Sequence, residues 1–212
     1  MSYFTAAELA NVQANPQSYV AIVYGNNRSR FMQSLGPLLS FLSEDHVKLM
    51  FCGLLAFDLK PYGDSAASCL AEILAEPALN CFNYTLLTHY LFDILDPAPV
   101  APNFQIVHVG WNGGAVGNHS QIFVESEPNP GGANAVVDPT YGLMIGGIGS
   151  DWVVAGKPIG AGFIADFRGY KSQPASVAAA AATTLNALQT GAYRFRHSAY
   201  YYRTAALMAA QA

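Results

Sequence analysis

Charge is what this chain has least of. Only 11% of its 212 residues are Asp, Glu, Lys or Arg, against 52% that are hydrophobic. That balance excludes a disordered chain, because there is ample apolar surface to bury. At this length a fold can bury roughly 70% of the surface of the unfolded chain. There is no run of Lys or Arg and the net charge is −4, so nucleic acid is not an expected partner. Long hydrophobic runs are missing too. The longest, residues 47–57, falls well short of the ~20 residues that a helical membrane span needs, so no membrane partner is expected. The opening residues, Met1 to Glu8, lack the basic start and apolar run of a signal peptide, which points to the cytoplasm. Cysteine is scarce. Three residues, an odd number, argue against a disulfide framework. Tight Cys/His pairs are absent, so no structural zinc site is expected, and no cofactor is called for.

What is present is ordered along the chain. No repeat or linker divides it, so residues 1–212 read as a single domain. Residues 1–78 form a helical part, 79–170 a cysteine-bearing helix and a sheet, and 171–212 C-terminal helices. Thr5-x-x-Glu8 is a capping box for a first helix to about Ala14. Residues 18–24 are apolar and β-branched and fit helix or strand, with Gly25-Asn26-Asn27 expected to end them. Residues 28–42 have helical spacing, broken at Gly36-Pro37. Residues 43–57 and 65–76 read as two more helices, and Lys60 to Asp64 as a turn. Cys52 and Cys69 fall on these helices and read as small core residues. His46 and His197 read as surface histidines.

The informative stretch begins at Asn80. From Cys81 on, Phe82, Leu86, Tyr90 and Ile94 recur at helical spacing, with Leu87 and Leu91 widening the stripe. Asn80 is a good N-cap, which makes Cys81 the first helical residue. The positive end of a helix favours thiolate over thiol, and its unpaired backbone N–H groups can hold an oxyanion.

Residues 104–111 read as a strand, followed by a Gly-rich loop through Asn118. Residues 119–126 read as a second strand beginning at His119, and residues 133–137 as a third, ended by Pro139 just after Asp138. Adjacent antiparallel strands can bring His119 and Asp138 side by side, so that the carboxylate orients the imidazole. His108 is the rival base. Its place in mid-strand favours a buried, hydrogen-bonded histidine instead. His89 lies about 12 Å along the helix from Cys81 and is too far to be the base.

The motifs Asn118-His119-Ser120-Gln121-Ile122-Phe123-Val124-Glu125 and Val136-Val137-Asp138-Pro139-Thr140, following a Cys that opens a helix, resemble the transglutaminase-like superfamily. The likeness covers about residues 79–141. One departure is Phe82, where the family often has Trp; another is the Gly-rich insertion from Trp111 to Gly117. The resemblance implies an α+β, papain-like fold with a Cys81–His119–Asp138 triad. It also implies acyl transfer from a peptide, amide or thioester donor to water or to an amine acceptor. Trp111 and Asn118 would border the substrate cleft. A member that has lost activity would be expected to have lost the Cys or the His, and this chain keeps both. The competing expectation is a non-catalytic binding protein on the same fold.

After Asp138 the chain is Gly-rich, with short strands expected around 151–155 and 162–167. Helices are expected at 174–189 and 198–210. A Tyr/Arg cluster, from Tyr193 to Arg196 and from Tyr200 to Arg203, would dock the terminal helix, bind an anionic group or form a dimer surface.

Overall fold

Thr5 and Glu8 open the first helix by capping each other. Thr5 Oγ1 accepts from the Glu8 N–H at 3.2 Å, and Glu8 Oε2 accepts from the Thr5 N–H at 2.9 Å. That helix, α1, is Ala6–Ala14. Asn15 ends it and at once caps the next, α2 (Pro16–Leu35), by accepting from the Ser18 N–H, with Pro16 in the first turn where its missing N–H costs nothing. A computed structural model describes residues 2–36, 39, 42–67, 69–97, 105–111, 119–125, 133–140, 143–148, 163–166 and 194–195.

α2 runs straight through Gly25-Asn26-Asn27, where the sequence suggested a stop. The reason is a tertiary partner. Asn27 is buried, and its Nδ2 donates to Val23 O and to Glu8 Oε1 on α1. An amide satisfied in this way no longer favours a turn. The helix stops instead at Gly36, whose φ of +52° suits only glycine among common residues.

α3 (Glu44–Leu59) starts at Ser43, which accepts from the His46 N–H. It is buried on every side from Leu49 to Ala56, as a helix in the middle of a domain must be. Phe51 on α3 meets Phe4, Tyr24 and Phe31 edge to face, with centroids 5.0–5.5 Å apart. His46 is buried here, not on the surface as its context suggested, and its Nδ1 lies 2.7 Å from Ser43 Oγ.

The helix expected over 65–76 is only Leu70–Ala75, α4. Residues 65–67 stay outside the helix, and their carbonyls serve the next one: Ser65 O accepts from Asn80 and Ala67 O from Asn83. Cys69 therefore precedes α4 and is half-buried, in contrast to the core position expected.

α5 (Cys81–Leu95) follows, buried continuously from Asn83 to Phe92. It packs on α2, α3 and α4, and on the sheet through β2.

The sheet is β1 (Gln105–Trp111), β2 (His119–Glu125), β3 (Ala133–Asp138), β4 (Leu143–Ile148), β5 (Phe163–Asp166) and β6 (Arg194–Phe195). All neighbours are antiparallel, in the order β5-β4-β3-β2-β1-β6. β1 to β5 form a meander. β6 then returns to pair with β1, so part of the Tyr/Arg cluster is an edge strand. Ile122, Val124 and Val137 join the helices in one apolar core. The remainder of the Tyr/Arg cluster, the strand expected at 151–155, the two C-terminal helices and His197 lie outside the described residues. Among those described, no helix is long and apolar enough to cross a membrane.

Candidate active site

The N-terminus of α5 is held by the segment from Lys60 to Ala67. Leu79 N donates to Pro61 O at 2.9 Å, and Gly63 N donates to Leu79 O at 3.0 Å. A Cβ on Gly63 would lie 2.8 Å from Ala78 Cβ, so close an approach that only glycine fits without a shift. Tyr84 donates to Lys60 O at 2.6 Å, and the Tyr62 ring stacks on Tyr84 with 12° between planes. Lys60 is itself buried. Its Nζ donates to Leu74 O, and burial pushes its pKa down against the opposing pull of Glu76. The turn read at Lys60 to Asp64 is thus one side of a clamp.

Asn80 completes it. Its Oδ1 accepts from the Asn83 N–H at 3.0 Å while its Nδ2 donates to Ser65 O at 2.8 Å. Cys81 is the first residue of α5, as the capping signal suggested, and is half-buried. The N–H of a first helical residue has no acceptor within its own helix. None of the three cysteines is in a disulfide. Cys52 contrasts with Cys81. It is fully buried, and burial, followed by Asp93 and Asp96, pushes its thiol pKa far up.

His119 is the first residue of β2 and stands opposite Trp111, the last residue of β1. Asp138 is the last residue of β3 and is buried. The β2–β3 pairing ends with Ile122 and Val137, and Gln121 and Asp138 are the next residue beyond it on each strand. Gln121 Nε2 donates to Asp138 Oδ2 at 2.8 Å, with both residues about 1% exposed. The alternation of a strand puts position 119 on the Gln121 side of the sheet. Positions 119 and 138 are therefore diagonal neighbours on one side of the sheet. Position 108 stands opposite Ile122 and so belongs to the other side of the sheet, the side on which Ile122, Val124 and Val137 join the core of the helices. The register separates the two candidate bases.

Cys81 and Asp138 share a neighbour. Tyr62 is 61% exposed, yet its phenol pKa is raised, first by burial and then by the charges of Cys81, Asp64 and Asp138. A thiol at a helix start and a carboxylate at a strand end thus both lie within electrostatic reach of one aromatic side chain. Neither Gln121 nor Tyr62 stood out in the sequence as a site residue. Gln121 had one local signal, its place two residues after His119 on an alternating strand. Tyr62 had none, because its position depends on pairing with Leu79.

Of the remaining expectations, Asn118 lies outside the described residues, and Trp111 is placed only by its backbone, across from His119. His89 is buried on α5, with Nε2 3.4 Å from Asp93 Oδ1. Among the described residues no three His, Cys, Asp or Glu side chains converge as metal ligands. Comparison with protein families, with curated proteins and with solved structures finds no match to this chain.

Proposed function

We propose that this chain is a thiol enzyme of papain-like, transglutaminase-like arrangement that transfers acyl groups through Cys81, His119 and Asp138. The observation that carries the reading is the position of Cys81. It is the first residue of a capped helix, and that helix packs on the strand whose first residue is His119. The helix terminus favours the thiolate, and a histidine at the strand start is the base that such a thiolate needs.

The chemistry runs in two halves. The Cys81 thiolate attacks the carbonyl carbon of a peptide, amide or thioester, forming the C–S bond. The developing oxyanion is met by the Cys81 N–H. His119, protonated by the thiol, returns that proton to the departing amine or thiol as the bond to it breaks. Water or an amine then attacks the acyl-enzyme, with His119 taking the incoming proton. The acid or amide leaves and the thiolate is restored. Asp138 holds the imidazole and favours its charged form.

Selective alkylation tests the reading without a known substrate. Brief iodoacetamide treatment at pH 6, followed by peptide mass mapping, is expected to modify Cys81 well ahead of Cys69 and Cys52. Cys52 is disfavoured by burial and by its raised pKa. The His119→Ala variant is expected to lose the preference. If Cys81 reacts only at alkaline pH, in step with Cys69, the thiol is not activated, and a binding protein on the same fold becomes the better description.

A further inference from the structure

Gln121 is a buried polar group that the proposed chemistry does not use. It is about 1% exposed, on the side of the sheet opposite to the core residues Ile122, Val124 and Val137, and its Nε2 donates to one carboxylate oxygen of Asp138. A residue of this size and polarity is seldom buried without a task. We propose that Gln121 is a positioning residue that fixes the carboxylate plane of Asp138 so that its other oxygen faces His119, an inference that rests on the acyl-transfer reading above.

The geometry supports this in three ways. Gln121 and Asp138 are the next residues beyond the Ile122–Val137 pair that ends the β2–β3 ladder, and position 119 is one diagonal step away on the same side. A carboxylate on a strand can rotate about two bonds. A donor on Oδ2 at 2.8 Å, from a buried amide, restrains that rotation. An amide N–H is also a donor that does not titrate, so it holds the carboxylate equally well whichever protonation state His119 is in. Tyr62 lies close by, within reach of the charges of Cys81, Asp64 and Asp138.

The test uses the rate of Cys81 alkylation as a function of pH, with Cys69 in the same molecule as the internal reference. The variants are Gln121→Met, which keeps the shape and removes the donor, Asp138→Asn, and the pair combined. Gln121→Asn is a second withdrawal of the donor, by one methylene, that keeps the site polar. In the wild type Cys81 is expected to react at pH 6 far faster than Cys69. Loss of a hydrogen bond to a charged group corresponds to on the order of a tenfold fall in that rate for Gln121→Met, with the rate recovering at pH 9. Asp138→Asn is expected to lose at least as much, and the combined variant no more than Asp138→Asn alone, because Gln121 acts through Asp138. A merely structural glutamine would lower the melting temperature of Gln121→Met and leave its pH profile unchanged. That result, or a wild-type profile in folded Gln121→Asn, overturns the proposal. If Asp138→Asn also keeps the wild-type profile, the acyl-transfer reading itself has failed. If Asp138→Asn loses the low-pH rate and both Gln121 variants retain it, only the role of Gln121 has failed.

Discussion

Asn80 shows how much one side chain can decide. Its oxygen caps α5, and its nitrogen ties the cap to Ser65 on the clamp segment. The first bond sets where the helix begins, and so makes Cys81 the residue at its positive end. The second sets where that end lies relative to Tyr62 and the strands. The two can be separated. Asn80→Asp keeps the acceptor and gives up the donor; Asn80→Ala gives up both. Capping residues contribute about 1 kcal/mol, and a further part-buried hydrogen bond about as much. Asn80→Ala is therefore expected to cost about 2 kcal/mol in urea unfolding and Asn80→Asp about half of that. Equal losses in the two variants would mean that the Ser65 bond adds nothing to the cap.

Between elements, the contact to examine is the one that closes α3 against the end of α5. Lys48 Nζ lies 2.8 Å from Asp96 Oδ2, with Asp96 almost fully buried at the C-cap of α5. Burial holds the Asp96 carboxyl above its ordinary pKa. The hydrogen bond from Lys48 pulls it back down, and one that protonated Asp96 donates to Asp45 pushes it up again. The sign follows from this. A carboxyl whose pKa is higher in the folded protein binds its proton more tightly there than in the unfolded chain. Its charge therefore costs stability at neutral pH, and the cost is relieved as pH falls through the folded value. Lys48 limits that cost. Lys48→Met leaves a buried charge without its partner, and is expected to lose about 2 kcal/mol at pH 7. The deficit should shrink as the pH is lowered and Asp96 takes up a proton. Adding Asp96→Asn should recover most of the loss at pH 7. Urea midpoints for the two variants at neutral and mildly acidic pH check this. A deficit independent of pH would assign the loss to packing of the lysine stem.

At the scale of the whole molecule, what was legible in the sequence was local. Thr5 and Glu8, Asn80 and Cys81, and Asp138 before Pro139 announce their boundaries through neighbours a few residues away, and the helix and strand limits fall there. Contacts across the chain were not legible. Gly25-Asn26-Asn27 reads as a turn until Glu8 on another helix satisfies Asn27. Ser65 reads as helical until its carbonyl is needed by Asn80. The pairing of Gln121 with Asp138 depends on a register that a two-residue difference in the connecting loop would change. α5 is where these long-range relations meet, because it touches both the helices and β2. If one helix braces both layers, they should unfold together. Leu87 is fully buried on α5, and truncating such a leucine costs roughly 2–5 kcal/mol. In a Trp152→Phe background, far-UV circular dichroism reports mainly on the helices and Trp111 fluorescence on β1. Leu87→Ala is expected to lower both melting transitions by the same amount and keep them superimposed. Ile22→Ala, at a residue 54% exposed, should move neither. A helical transition that falls while the Trp111 signal holds would show two separate cooperative units. The cysteine would then belong to one unit and the histidine and aspartate to the other, and a triad spanning them would lack the shared core needed to hold it in register.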